Sequence, residues 1–240
     1  GGLAERGARA LALASRRGAL AAGDGARLAQ AGAAVAAIRC DVAEVADARR
    51  LAADVAQRMA PVVGVWHAAG RTADGLLANL GARALRAVYA PKAHGAWSLH
   101  AALAAAKVGA CVLFSSVAAL LGGAGQANYS AANACLDALG THRRAHDRAC
   151  VSVQWGAWAE VGMAARGAAS ARMAAMEAAS GLGRIGLAQG LGALHAAALP
   201  RAPSRIGVMP VQWQRMLGAA GSAPAFLSGM APRTAHVAPE

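Results

Sequence analysis

Tyr129 and Asn133 lie four residues apart in the helix-like stretch Asn128-Tyr129-Ser130-Ala131-Ala132-Asn133. Ser115-Ser116 ends an apolar run thirteen residues before the tyrosine, and Lys92 lies further upstream. Together these residue types can reduce a carbonyl. A ketone that accepts hydride becomes an alkoxide and needs a proton donor at its oxygen. A phenol can donate that proton, but its ordinary pKa near 10 calls for a neighbouring cation to stabilise the phenolate. A serine hydroxyl can polarise the same oxygen, and an asparagine amide can hold a bridging water or orient the lysine.

The spacing agrees with this chemistry. Residues four apart on a helix share a face, so Tyr129 and Asn133 project together. Ala110-Cys111-Val112-Leu113-Phe114 reads as a short buried strand with Ser115 and Ser116 at its carboxyl end. Ligands of open parallel sheets bind there. Each residue also has a bland reading: Tyr129 in the core, the serines ending a strand, Lys92 on a solvated helix. The joint occurrence favours chemistry.

Phe114-Ser115-Ser116 and the run from Gly125 to Leu139 resemble the ketoreductase domains of modular type I polyketide synthases, in the short-chain dehydrogenase/reductase superfamily. Further motifs agree in order: Leu13 to Gly18, Cys40-Asp41-Val42, His67-Ala68-Ala69-Gly70, Pro91 to Trp97, and Trp155 to Glu160. The resemblance covers roughly residues 3 to 210. It implies Tyr129 as proton donor, Ser116 as carbonyl-binding serine, and Lys92 with Asn133 as the remaining pair. Lys92 is one of only two lysines, the other being Lys107.

On the cofactor side the resemblance implies NADPH. Ser15, Arg16 and Arg17 follow a short strand, and guanidinium suits a 2′-phosphate. Asp41 and Val42 resemble the adenine contact, Ala68-Ala69-Gly70 the small-residue loop beside the cofactor, and Trp155-Gly156 the edge near the nicotinamide. His67 reads as structural. Asp74 resembles a diagnostic aspartate of one stereochemical class, giving a D-configured hydroxyl. Leu121 stands where the other class has tryptophan, and Ala124 where a proline usually accompanies Asp74's class. Residues 162 to 186, beginning near Met163, correspond to a substrate lid or, equally, an ordinary amphipathic helix.

The expected fold is α/β: a doubly wound parallel sheet of the Rossmann-like type, lacking the first strand and its glycine-rich turn. Gly1-Gly2 runs directly into Leu3 to Ala8, which resembles the end of the first helix. Strands are expected near 10–14, 34–39, 62–66, 110–114, 150–155 and 206–209. Helices are expected near 24–31, 44–59, 82–105, 128–146 and 187–198. Residues 1–214 form the expected catalytic domain, and 215–240, with Pro224, Pro232 and Pro239, a linker-like tail.

Composition limits the alternatives. At 240 residues the chain suits one domain, and the 57% hydrophobic content is dominated by alanine, with only 4% aromatics. No run is long and bulky enough for a membrane span, and no secretory pattern opens the chain, so a cytoplasmic placement is expected. The net charge of +12 comes from scattered arginines without a nucleic-acid motif; it suits docking of an acidic carrier protein, and an arginine- and alanine-biased genome explains it equally well. Cys40, Cys111, Cys135 and Cys150 lack metal-site spacing and read as reduced and buried. The resemblance thus implies reduction of a β-ketoacyl chain tethered to an acyl carrier protein among neighbouring synthase domains. A non-reducing structural or epimerisation-assisting domain and a stand-alone reductase of small ketones are the alternatives.

Overall fold

The computed structural model describes residues 2–160, 181–218 and 224–231. In chain order the first elements are α1 (Gly2–Glu5), β1 (Ala10–Ser15), α2 (Asp24–Gln30), β2 (Ala34–Arg39), α3 (Val45–Arg58) and β3 (Gly64–His67). Then come α4 (Ala82–Tyr89), a π-helical turn (Ala90–His94), α5 (Gly95–Ala102), β4 (Ala110–Ser116), α6 (Ala118–Leu121), α7 (Ala127–Ala145) and β5 (Val151–Trp155). Helix α8 (Leu187–Ala197), β6 (Arg205–Val208) and α9 (Trp213–Gly218) follow. The alternation of strand and helix is that of a parallel α/β fold, as the apolar runs predict.

The strands form two ladders. β1 pairs parallel with β2, in register from Ala10 opposite Ala34 to Ser15 opposite Arg39. The other four lie in the order β3-β4-β5-β6, with β3 parallel to β4 from Gly64 opposite Ala110 to His67 opposite Leu113. β5 is buried at every residue, as a strand covered on both faces must be. β1 is as apolar in sequence, yet five of its six residues are exposed.

The chain divides into two compact units, Gly1–Gln154 with Leu194–Ile206, and Trp155–Ala193 with Gly207–Glu240. In the first, α7 packs on β4 through Leu136 and Leu139 against Cys111 and Leu113, with Cys150, just before β5, in the same cluster. A second cluster joins Val88 of α4, Ala118 of α6, and Tyr129 and Ala132 of α7. In the second unit Trp155 and Trp158 stack with centroids 4.9 Å apart, and Trp158 bridges Ile185 in parallel. The expected lid around Met163 lies outside the described residues. α9 begins at Trp213 and runs into the tail expected to be a linker, where Ala225–Met230 forms a 3-10 turn that buries Leu227.

Two expectations are corrected. The single helix expected over 82–105 is broken at Ala90–His94, where Pro91 offers no amide proton and the turn widens. Cys135 is exposed, because it falls on the outward face of α7; Cys40, Cys111 and Cys150 are buried, and all four are free thiols.

A buried carboxylate ties α7 to β5. Asp137 accepts hydrogen bonds from Ser152 Oγ at 2.6 Å and Gln154 Nε2 at 2.7 Å. Removing the carboxylate strands both donors in the core. Asp137→Ala should lower unfolding free energy by roughly 2–3 kcal/mol in urea denaturation, and a loss below half that would mean that water replaces the carboxylate.

Candidate active site

Lys92 comes to the site through the π turn. Its side chain is 4% exposed, and Nζ donates to the Phe114 carbonyl at 2.8 Å, at the end of β4. Nζ also lies 5.2 Å from the centroid of the Tyr129 ring. Such a cation over a desolvated aromatic face is attracted by the ring quadrupole. Burial lowers the Lys92 pKa from its ordinary 10.5 to about 8, with Asp137 opposing. The side chain therefore remains mostly an ammonium at neutral pH.

The lysine's fit depends on what surrounds it. A Cβ on Gly70 would sit 2.9 Å from Lys92 Cε, so a larger residue there would push the lysine side chain out of its place. His67 holds the other end, its Nε2 lying 3.2 Å from the Lys92 carbonyl oxygen. A Cβ on Gly95 would meet Val42 Cγ2 at 2.8 Å and His67 Cε1 at 3.2 Å, so α5 packs closely on both.

Tyr129 and Asn133 project from one face of α7 and are buried. Asn133 Nδ2 donates to the Tyr129 carbonyl at 2.8 Å, bonding back one turn, and Ser115 Oγ donates to the Asn133 carbonyl at 3.3 Å. Asn133 Oδ1 is buried without a hydrogen-bond partner among the described residues. Ser116 Oγ accepts from the Ala118 amide at 3.2 Å, which fixes its rotamer where α6 begins. Burial raises the Tyr129 pKa above its ordinary 10, with the Asn133 and Ser116 side chains beside the hydroxyl opposing. At neutral pH the pair is a protonated phenol beside an ammonium, the state a proton donor needs.

Sequence reasoning missed the residues that close this site. Asn128 Nδ2 donates to the Ala73 carbonyl at 2.8 Å, while its Oδ1 accepts from the Tyr129 amide at 2.8 Å. Gln126 Nε2 lies 3.4 Å from both Asp74 carboxylate oxygens. The loop bearing Asp74 is thus tied to the start of α7. Leu121, at the end of α6, is half-buried. The signal for Asn128 and Gln126 was their place just before Tyr129, with nothing in the sequence to name their partners.

The cofactor-side residues divide. Ser15, Arg16, Asp41, Val42, Ala68, Ala69 and Gly70 line one cavity in the first unit. Arg17 does not line it and is exposed in the turn after β1. Trp155 and Gly156 belong to the second unit, where the Gly156 amide donates to the Val208 carbonyl at 2.8 Å. Asp41 Oδ1 accepts from the Ala43 amide at 3.1 Å, which shapes the turn after β2.

The KR domain profile matches residues 2–160. The chain belongs to the ketoreductase (KR) domain family. It is 42% identical over 202 residues to the spectinabilin polyketide synthase system protein NorB of Streptomyces orinoci, covering 82% of this chain and 9% of that protein. It is 38% identical over 233 residues to a phenolphthiocerol synthesis polyketide synthase of Mycobacterium tuberculosis whose name marks it inactive, covering 95% of this chain and 14% of that one. Among solved structures, that of A-type ketoreductases from a modular polyketide synthase superposes with a TM-score of 0.83. It is 38% identical, over 94% of this chain and 48% of that one. The first ketoreductase of the tylosin synthase gives 0.78 at 37% identity, over 91% and 47%. The chain therefore spans about half of these ketoreductase structures and a small part of the synthases. The fold is the Rossmann-like short-chain dehydrogenase/reductase type.

KR domains are oxidoreductases that use nicotinamide cofactors. No group of three or more potential metal-ligating side chains occurs among the described residues, and no described helix is long and apolar enough to cross a membrane.

Burial holds His67 neutral, its pKa lowered from 6.5 to about 4. The unfolded chain binds this proton at a higher pH than the folded one, so stability falls as pH drops from about 6.5 towards 4. The slope is about 1.4 kcal/mol per pH unit in that window. Urea midpoints measured from pH 7 to pH 4 should show this fall, and His67→Gln should flatten it.

Proposed function

We propose that this domain carries out NADPH-dependent reduction of a β-ketoacyl thioester, tethered to an acyl carrier protein, to the β-hydroxyacyl thioester in polyketide biosynthesis. The observation that carries the reading is the buried Lys92 ammonium over the Tyr129 ring, with Ser116 and Asn133 beside the phenol hydroxyl. Ser116 holds the carbonyl oxygen of the substrate. Tyr129 gives its phenol proton to that oxygen as negative charge develops there. The Lys92 ammonium stabilises the phenolate left behind and returns a proton to it, recovering its own from solvent through a water that the Asn133 amide oxygen would hold.

The residues present fit a phosphorylated dinucleotide. Arg16 lines the cavity, is exposed, and makes no ion pair with a described residue, so its guanidinium is free for a phosphate. Ser15 is beside it, while Asp41, Val42 and Ala68 to Gly70 line the same space. NADPH, when bound, supplies the hydride. Arg17, Trp155 and Gly156 remain proposed contacts on the ground of resemblance. Asp74, held by Gln126, is the residue at which we place stereocontrol, and the product carries a D-configured hydroxyl. Leu121 and Met163 are proposed to border the substrate. The domain assignment, 1–214 catalytic and 215–240 linker, the carrier-protein partner and a cytoplasmic setting belong to the same proposal.

A second reading is a non-reducing structural or epimerisation-assisting domain. The division of the strands into two ladders favours it, because the cofactor-side residues then lie on separate sheets.

With a β-ketoacyl thioester and NADPH, Tyr129→Phe should reduce turnover by about 10²–10⁴-fold with an unchanged circular dichroism spectrum; retained turnover would refute the proton-donor role. The unaltered chain should prefer NADPH to NADH. Arg16→Glu should lose at least about tenfold of that preference, read as the ratio of the two dissociation constants. An unchanged ratio would remove Arg16 from the phosphate site. A well-folded chain that binds neither nucleotide would favour the second reading.

A further inference from the structure

Cys111 of β4 and Cys150, just before β5, take no part in carbonyl reduction, yet they meet inside the first unit. The Cys150 thiol donates to Cys111 Sγ at 3.4 Å, and both lie in the apolar cluster under α7. β4 and β5 are neighbours in the sheet, and the backbone around both cysteines is held. β4 is laddered to β3. Arg144 Nε donates to the Cys150 carbonyl at 3.1 Å, and Arg143 Nη2 to the Ala149 carbonyl at 3.4 Å. The sulfurs of a disulfide stand about 2.05 Å apart, a short closure from this contact.

Beside the two thiols lies a cation without a counter-charge. Arg143 is 5% exposed, pairs with no carboxylate among the described residues, and its Nε is buried there without a hydrogen-bond partner. Its Nη1 lies 2.9 Å from His100 Nδ1, an imidazole that burial and the surrounding cations keep neutral. A buried guanidinium without an anion is costly. Arg143, His100 and Cys111 line one small cavity of about 20 Å3, room for a single water-sized molecule. Among the residues lining it, Cys111 is the one that can become an anion. The hydrogen bond from Cys150 lowers the Cys111 pKa, with Arg143 assisting and burial opposing, while the same bond and burial raise that of Cys150. One sulfur is thus poised to attack, and its partner keeps its proton.

We propose that Cys111 and Cys150 form a modification site, a dithiol that hydrogen peroxide converts reversibly into a disulfide tying β4 to the residue that leads into β5. The Cys111 thiolate attacks one peroxide oxygen and the O–O bond breaks. The departing hydroxide takes up the proton that Cys111 released and becomes water. The Cys150 sulfur then attacks the sulfenic acid on Cys111: the S–S bond forms, the S–O bond breaks, and the hydroxyl leaves with the Cys150 proton as a second water. Two thiols are oxidised and one peroxide is reduced, and an added thiol reverses the change. Cys111 stands three residues before Phe114, whose carbonyl anchors Lys92. Closing the disulfide moves that anchor and slows ketone reduction. This last consequence rests on the proposed function; the disulfide does not.

The test treats the reduced full chain with hydrogen peroxide, labels the remaining thiols in denaturant and maps them by mass spectrometry. Cys135→Ser removes the exposed thiol, and with it disulfides between molecules. Cys40 is the internal comparison, a buried thiol whose pKa burial raises. Cys111 and Cys150 should disappear together, as one cross-linked peptide, at least about tenfold faster than Cys40. Dithiothreitol should restore both. In Cys150→Ala, Cys111 should stop at the sulfenic acid and be trapped by dimedone. Loss of Cys111 without Cys150 in the chain that retains both would overturn the proposal, as would loss of the pair no faster than Cys40. Turnover of a β-ketoacyl thioester should fall by about tenfold or more on oxidation and return on reduction. A mapped disulfide with unchanged turnover would overturn the link to the site. A reduced chain without turnover would refute the proposed function, while the mapping would still decide the disulfide.

Discussion

A single buried ammonium sets the terms for the site. Withdrawing Lys92 from water carries a desolvation penalty, visible in its lowered pKa. The Phe114 carbonyl, the Tyr129 ring and the more distant charge of Asp137 offset it. Each comes from a different part of the first unit: the end of β4, the first turn of α7, and the middle of α7. The carbonyl of Lys92 itself is held by His67 at the end of β3. One side chain thus couples two strand ends, a helix and a π turn, and small errors in any of them would move the charge away from the phenol.

The architecture divides its labour along α7. Its beginning carries Gln126, Asn128 and Tyr129, whose bonds reach the loop at Ala73 and Asp74. One turn on, Asn133 is locked by Ser115. Further on, Asp137 is bolted to β5, and Gly140 lies so close to the backbone that an added Cβ would stand 3.0 Å from the Ser204 carbonyl oxygen. The far half of the helix fixes its height and rotation over the sheet, so the near half can present two polar side chains in one orientation without strain. A site supported by packed secondary structure keeps its geometry better than one carried on loops.

Much of this was legible in the sequence because it is periodic. Apolar runs gave all six strands to within about two residues, and the four-residue spacing of Tyr129 and Asn133 placed them on one face. The joint appearance of Ser116, Lys92, Tyr129 and Asn133 pointed to a shared site, and the structure brings all four together. What escaped was non-periodic. Pro91 was read as part of a motif, whereas its missing amide helps widen the turn that aims Lys92. The bond from Lys92 to Phe114 and that from Asn128 to Ala73 join residues far apart in the chain, and local pattern cannot name such partners. Cys135 was expected inside along with the other cysteines, which lack metal-site spacing and fall in expected strands and helices, but its position on α7 faces outward. Arg16 and Arg17 are alike in sequence, and only the path of the turn after β1 puts the first on the cavity wall.

The central claim is that Lys92 is a buried ammonium whose charge is tuned by its surroundings at Tyr129. With only two lysines in the chain, ¹³C-methylene or ¹⁵Nζ nuclear magnetic resonance can follow each titration separately, and Lys92→Arg assigns the signals. The account predicts that the Lys92 signal titrates near 8 and shifts when Tyr129 is changed to Phe. Titration of Lys92 at its ordinary value near 10.5, indifferent to Tyr129, would contradict the account, since the lysine would then be solvated and away from the phenol.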